Sequence, residues 1–177
     1  RDNAITSLFG RPKIVIGVIH SRALPGAPRY RGGPVAEIYD YALAEAQRYA
    51  EAGVDGLIVE NHGDIPFLKP DAIGPETAAC MAVMTERVRV ATGLQIGVNV
   101  LANGALQALS IAQAAGASFI RVNQWSNAYV ANEGIVEGPA AIALRYRRTI
   151  GAEAVRIFAD VHVKHGAHAI TADRSIE

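Results

Sequence analysis

An α/β fold built on a parallel sheet is predicted by three observations. Apolar, β-branched runs alternate with helix-spaced segments along the chain; connections after strands are long while those after helices are short; and several strands carry polar residues on one face only. Strands separated by helices imply right-handed βαβ units. A doubly wound open sheet would bury its strands under helices on both faces and should be apolar on both. One-sided polarity instead calls for an interior with polar partners or a ligand, which selects a TIM-type (β/α)8 barrel.

The elements follow in order. Lys13 to His20 (KIVIGVIH) reads as the first strand, and the proline- and glycine-punctuated SRALPGAPRYRGGP as a loop. Pro34 opens a helix in which Val35, Ile38, Tyr39, Ala42, Ala46 and Tyr49 recur at helical spacing until Gly53. GLIVEN, Gly56 to Asn61, is the second strand; a loop with Pro66 and Pro70 follows, and Pro75 opens a helix that Gly93 ends. Gln95 to Leu101 is the third strand, and Asn103 is placed to cap an alanine-rich helix ending at Gly116. Ser118 to Trp125 is the fourth strand, then a long loop runs to Gly138 and a helix from Pro139 to about Ile150. RIFADVHVKHGAH, from Arg156, is the fifth strand.

The 177 residues, half of them hydrophobic, suffice for one sizeable core, and 1–177 is read as a single domain. Lysine plus arginine and aspartate plus glutamate each number 17, with no basic tract, so nucleic acid is not an expected partner. The single cysteine, Cys80, sits in a helical pattern beside Ala79, Met81 and Met84, as a small buried hydrophobe in a reducing compartment would. No apolar run is long enough to span a bilayer and no signal peptide opens the chain, which predicts a soluble cytoplasmic protein. A barrel needs eight units and this sequence supplies about five, so the C-terminal units, with any phosphate-binding loops after strands seven and eight, are expected to lie outside it. Symmetric homo-oligomerisation is expected on general grounds.

The long loops Ser21 to Gly33, His62 to Gly74 and Ser126 to Gly138 all follow strands, on the active face of such a barrel. The segments VIGVIHSRALPGAPRY, GVDGLIVENHGDIPF, IGVNVLANGALQAL, FIRVNQW and FADVHVKHG, in this order and spacing, resemble the BtpA family, which includes SgcQ-like proteins. The resemblance runs from about Pro12 to the end of the chain. It implies a TIM barrel and a soluble protein, associated in cyanobacteria with the membrane periphery and with photosystem I accumulation. Relatives in organisms without photosystems look like metabolic enzymes, some suggested to act on sugars or nucleosides. The resemblance supplies no set of catalytic residues, so site candidates rest on chemistry.

Alternation places Phe158, Asp160, His162 and Lys164 on one face of the fifth strand, and Ile157, Ala159, Val161 and Val163 on the other. Catalytic candidates are His20 at the end of the first strand, Glu60 at the end of the second, and His162 and Lys164. Lys164 suits anion binding, or a Schiff base if its pKa is depressed. Glu60, deep in an apolar strand, needs a partner and serves as a ligand, a general base, or one half of a structural salt bridge. Asn61, Asn99, Asn123, Arg121 and Asp160 are substrate-binding candidates. Asn99 and Asn123 are expected at matching places on neighbouring strands, their carboxamides offering donors and acceptors. Arg121 and Asp160 are expected to form a bidentate pair, a structural reading preferred over direct catalysis. His62 and Asp64 add loop contributions.

A metal is not favoured. His162 and His165 point to opposite faces of an extended strand, His168 goes with the rim, and Val18 stands where barrel metallohydrolases carry the first histidine of a His-x-His pair. A divalent site from His20, Glu60 and His162 remains geometrically open. Arg29, Tyr30 and Arg31 in LPGAPRYRGG either close over an anion or form an inert lid, because the loop lacks both glycine-rich nucleotide signatures. Two function classes therefore stand: an enzyme of undetermined reaction class (hydrolase, lyase or isomerase) acting on a small polar or phosphorylated sugar- or nucleoside-like substrate, and a non-catalytic assembly factor of the photosystem I type.

Overall fold

The structure, a computed structural model, describes residues 3–161, 163 and 166–168. Its elements are α1 (Ala4–Phe9), β1 (Ile16–His20), α2 (Val35–Glu51), β2 (Gly56–Glu60), α3 (Pro75–Thr92), β3 (Gln95–Asn99), α4 (Ala105–Ala115), β4 (Phe119–Val122), β5 (Ala128–Ala131), β6 (Gly134–Glu137), α5 (Ala140–Thr149), β7 (Arg156–Ala159) and β8 (Ala167–His168). Among the described residues, β1-β2-β3-β4-β7 form a five-stranded parallel sheet in sequence order, and β6-β5-β8 a small antiparallel one. The fold is α/β, with helices alternating with parallel strands.

Side-chain alternation divides the parallel sheet into two faces. Ile19, Leu57, Val59, Ile96, Val98, Ile120 and Val122 are fully buried against the helices. The helices supply matching stripes: Ile38, Ala42 and Ala46 at four-residue spacing on α2, Cys80, Met81, Met84 and Val88 on α3, and Ala108, Leu109 and Ala112 on α4. Removing each large aliphatic side chain from water contributes about 1.5–3 kcal/mol, so this layer fixes the register of the strands that carry it. A one-residue slip would turn each buried row over to the opposite face. Cys80 is buried, as expected.

The opposite face has two levels. Towards the amino ends of the strands, Phe119 packs against Phe158 in a tilted arrangement at a centroid distance of 4.9 Å and meets Phe9 of α1 edge-on at 6.1 Å. Gly56 and Gly97 make the room, since a Cβ on either would collide with the ring of Phe9 or Phe119 respectively. Towards the carboxyl ends the same face becomes polar, with Glu60, Asn99, Arg121 and Asp160.

Several expectations change. β1 starts at Ile16 rather than Lys13, because β2 begins only at Gly56 and Val15 is tied instead to the Asp55 carboxylate (2.7 Å). Strand three stops at Asn99 and strand four spans only Phe119–Val122. Asn103 does not cap α4: Gly104 holds that position without a side-chain bond, and Asn103, at φ 58°, gives its carboxamide to the Gln124 amide and the Glu137 carbonyl. The supposed loop from Ser126 to Gly138 is largely the β5–β6 hairpin, turning at Asn132 and Glu133. The fifth strand ends at Ala159, so Val161 and Val163 do not turn towards the helices but border the cavity described below. α1 was not foreseen.

Candidate functional site

Each polar residue of the site stands where a strand ends. Glu60 is the last residue of β2 and its side chain is only 5% exposed. A carboxylate so buried needs partners, and two neighbouring strands provide them. The Asn99 carboxamide donates to Glu60 Oε2 (2.7 Å), and Arg121 Nη1 donates to the same oxygen (3.2 Å). Arg121 closes a bidentate pair with Asp160, Nε to Oδ1 and Nη2 to Oδ2, both at 2.8 Å, which is the pairing its sequence position predicts. Bonding to Asp160 holds the guanidinium proton more firmly than usual. The Asn123 carboxamide adds a 3.3 Å bond to Asp160 Oδ2.

The expected equivalence of Asn99 and Asn123 does not hold. β3 and β4 pair Gly97 with Phe119 and Val98 with Ile120, which sets Asn99 level with Arg121 and Asn123 one inward step higher. The register is fixed by the Ser118 amide bonding to the Ile96 carbonyl (2.7 Å), information a single strand does not carry. Asn123 accepts from the Asn103 amide as well, so both ends of its carboxamide are engaged. Asn61 is buried too, its carboxamide bonded to the Leu101 amide (2.7 Å), the Leu101 carbonyl and Asp64. Asn99 differs from both, for its Oδ1 is buried and has no partner.

His20 ends β1 with its side chain half exposed, Nε2 lying 3.5 Å from Glu60 Oε1. The His62 ring stacks on it at 4.2 Å and an interplanar angle of 14°, and Phe67 meets His62 edge-on. His62 is delivered by a single 3-10 turn, His62–Asp64, directly after β2. Asp64 anchors that turn by accepting from the Leu24 amide (2.8 Å) and the Asn61 carboxamide (2.9 Å), while burial pushes its carboxyl above the usual range. Asp64 therefore latches the β1–α2 and β2–α3 loops together.

His20, Glu60, His62, Arg121, Asn123 and Asp160 border a cavity of about 730 Å³, with Tyr129, Asn132 and Glu133 of the β5–β6 hairpin also lining it. The hairpin residues were missed from sequence, although Tyr129 and Val130 against Ile135 and Val136, around the positive-φ Gly134, form a hairpin signature. His162, Lys164 and His165 lie outside the described residues, as do the contacts of the His168 side chain. Arg29 and Arg31 are not among the residues that line the cavity.

The arrangement offers a locked anion pair around one guanidinium, an imidazole pair beside a buried carboxylate, and an orphaned carboxamide oxygen. Among the described residues no helix is long and apolar enough to cross a membrane.

Residues 11–176 match the BtpA family. An uncharacterized protein of Archaeoglobus fulgidus is 44% identical over 88% of this chain and 61% of its own length, and one of Pyrococcus furiosus is 43% identical over 88% and 58%. The photosystem I biogenesis protein BtpA of Synechocystis is 42% identical over 85% of this chain and 52% of its own length. The chain thus spans roughly three-fifths or less of the length of these relatives. With the family match covering nearly every residue, the chain belongs to the BtpA family.

Proposed function

We propose that this chain supplies about five βα units of a TIM-type barrel, one domain over 1–177 continued by further units, and that the barrel is an enzyme. Its substrate is a small polar or phosphorylated sugar- or nucleoside-like molecule bound at the carboxyl ends of the strands. The observation that carries the reading is the meeting of Glu60, Asn99, Arg121 and Asp160, from four neighbouring strands, beside a cavity of about 730 Å³. A scaffold gains nothing from holding such groups out of water, since each buried polar atom without a partner costs about 1–3 kcal/mol. The unpartnered Asn99 Oδ1 is one such instance.

In this reading His20 and Glu60 handle protons, His162 and Lys164 hold the anionic end of the substrate, and Arg121 with Asp160 keeps Glu60 in place. Asn61 and Asn123 shape the wall. The half-buried rows of the outer strands, Ile16 and Val18 on β1 and Ile157 and Phe158 on β7, suit further strands closing the barrel. A cytoplasmic homo-oligomer is part of the same proposal. The name of the Synechocystis relative, a photosystem I biogenesis protein, favours a second reading, a non-catalytic biogenesis factor.

A thermal-shift panel of sugar phosphates and nucleosides on the full-length protein separates the two. A ligand at a hundred times its Kd adds about 2.7 kcal/mol, or a rise of roughly 5–10 °C. That rise is expected for the wild type and lost in His162→Ala and Lys164→Ala that remain folded. Equal responses in all three proteins would sink the enzyme reading.

A further inference from the structure

We propose that His20, Glu60 and His62 bind one divalent transition-metal ion, of which zinc is the best match. The proposal rests on the substrate reading above and gives His20 and Glu60 the role of ligands in place of proton handling. Among the described residues, the ligand atoms of these three side chains all lie within 4.8 Å of one another. Zinc bonds of about 2.0–2.2 Å bring tetrahedral ligand atoms to roughly 3.4 Å apart, so the ion needs a closure of little more than 1 Å. The two rings, stacked at an interplanar angle of 14°, must open for their in-plane lone pairs to converge on one ion, and His20, whose side chain is 53% exposed, has the room to rotate out of the stack.

The carboxylate is prepared for this role. Glu60 Oε2 already accepts from Asn99 and Arg121, whereas Oε1 lies 3.5 Å from His20 Nε2. One oxygen is thus fixed by the neighbouring strands and the other is left facing the imidazoles. Metal-bound carboxylates are characteristically oriented by such outer bonds. The charge balance also favours a cation, because Glu60 and Asp160 outnumber Arg121 by one and Asp160 takes up the guanidinium through two bonds. Two imidazoles and one carboxylate form a ligand set of the kind found in catalytic zinc sites, leaving a coordination position open for water or substrate.

Val18, two residues before His20, denies β1 a His-x-His pair. The second histidine instead comes from the neighbouring chain segment: the 3-10 turn after β2 carries His62 back over His20. The pattern to read is therefore a strand-end histidine combined with Glu-x-His at the end of the next strand.

The test is zinc titration of the chelator-stripped, full-length protein by calorimetry, with cobalt(II) absorption as a coordination readout. One ion per chain is expected, together with the intense visible bands of low-coordinate cobalt. His20→Ala and His62→Ala should each weaken binding by at least about 100-fold, and Asn99→Ala by about 10–100-fold as an outer-shell change. His20 is exposed enough that its truncation leaves the fold intact, so it decides the matter even if the buried variants unfold. No binding, or equal affinity in the wild type and His20→Ala, overturns the proposal. The ligand panel repeated on metal-free protein keeps the two readings apart. A retained ligand shift without zinc binding removes only the ion, and zinc binding without any ligand shift removes only the substrate.

Discussion

One face of the parallel sheet changes character along its length. At the amino ends Phe9, Phe119 and Phe158 close around Gly56 and Gly97, with Phe119 fully buried. Two residues further along the same strands, Arg121 follows Phe119, Asp160 follows Phe158 and Asn99 follows Gly97. The aromatic level is packed, apolar and closed beneath by α1. The polar level holds two carboxylates, one guanidinium and an oxygen without a partner. The difference assigns stability to one end of the strands and chemistry to the other, since packing gains most where water is absent and ligands need groups left incompletely satisfied.

The strongest way to break this contrast is to empty the aromatic level. Phe119→Ala should destabilise the protein by about 3–5 kcal/mol, read as a lower urea midpoint at unchanged slope. Gly97→Ala, whose new methyl would strike the Phe119 ring, should cost about 1–3 kcal/mol, and pairing it with Phe119→Leu should recover part of that loss. A cost below about 1 kcal/mol for Phe119→Ala would show that this level is not a core.

Much of this organisation is legible in the sequence. KIVIGVIH, GLIVEN, QIGVNVL, SFIRVNQW and RIFADVHVKHGAH announce five strands because β-branched runs bounded by glycine and proline leave few alternatives, although the last is a strand only over its first four residues. Their one-sided polarity identified the faces, and the spacing of Arg121 and Asp160 identified their pairing. What could not be read is what depends on neighbouring strands. The register that sets Asn99 beside Arg121 rather than Asn123 comes from a backbone bond between segments, and the stacking of His62 on His20 from a turn that moves a residue off the strand's axis. The carboxamide of Asn123 was expected inward and is taken up by Asn103 and Asp160, while that of Asn61, just past the end of β2, is taken up by Leu101 and Asp64. The β5–β6 hairpin was visible in principle, but its strands are four residues each, short enough to pass for loop.

A smaller effect sharpens the polar side. Arg121 and Asp160 are one-third and one-fifth exposed, so their pair is screened less than a surface bridge and more than a core one. A double-mutant cycle with Arg121→Met and Asp160→Asn should give a coupling of about 1–2 kcal/mol. Coupling indistinguishable from zero would place the pair among ordinary surface contacts and remove the constraint it puts on Glu60.

The smallest effect lies in the hairpin that faces the polar level. Tyr129 is 4% exposed, and burial, with Glu133 and Asp160 adding negative potential, pushes its phenol up to about 12. In the unfolded chain a tyrosine ionises near pH 10. Above that pH the unfolded state releases a proton that the folded state keeps, so stability is whole below about pH 10 and falls as pH rises towards 12. The loss from this one group should reach about 1 kcal/mol by pH 11. Tyr39, raised to about 12 chiefly by its own burial, contributes a parallel loss in the same window. Tyr129→Phe should therefore flatten, without abolishing, the alkaline decline in stability measured by urea denaturation between pH 9 and pH 11. An unchanged slope would mean that the phenol is solvated, and that the hairpin does not close over the carboxylate end of the sheet as firmly as the aromatic level closes the other.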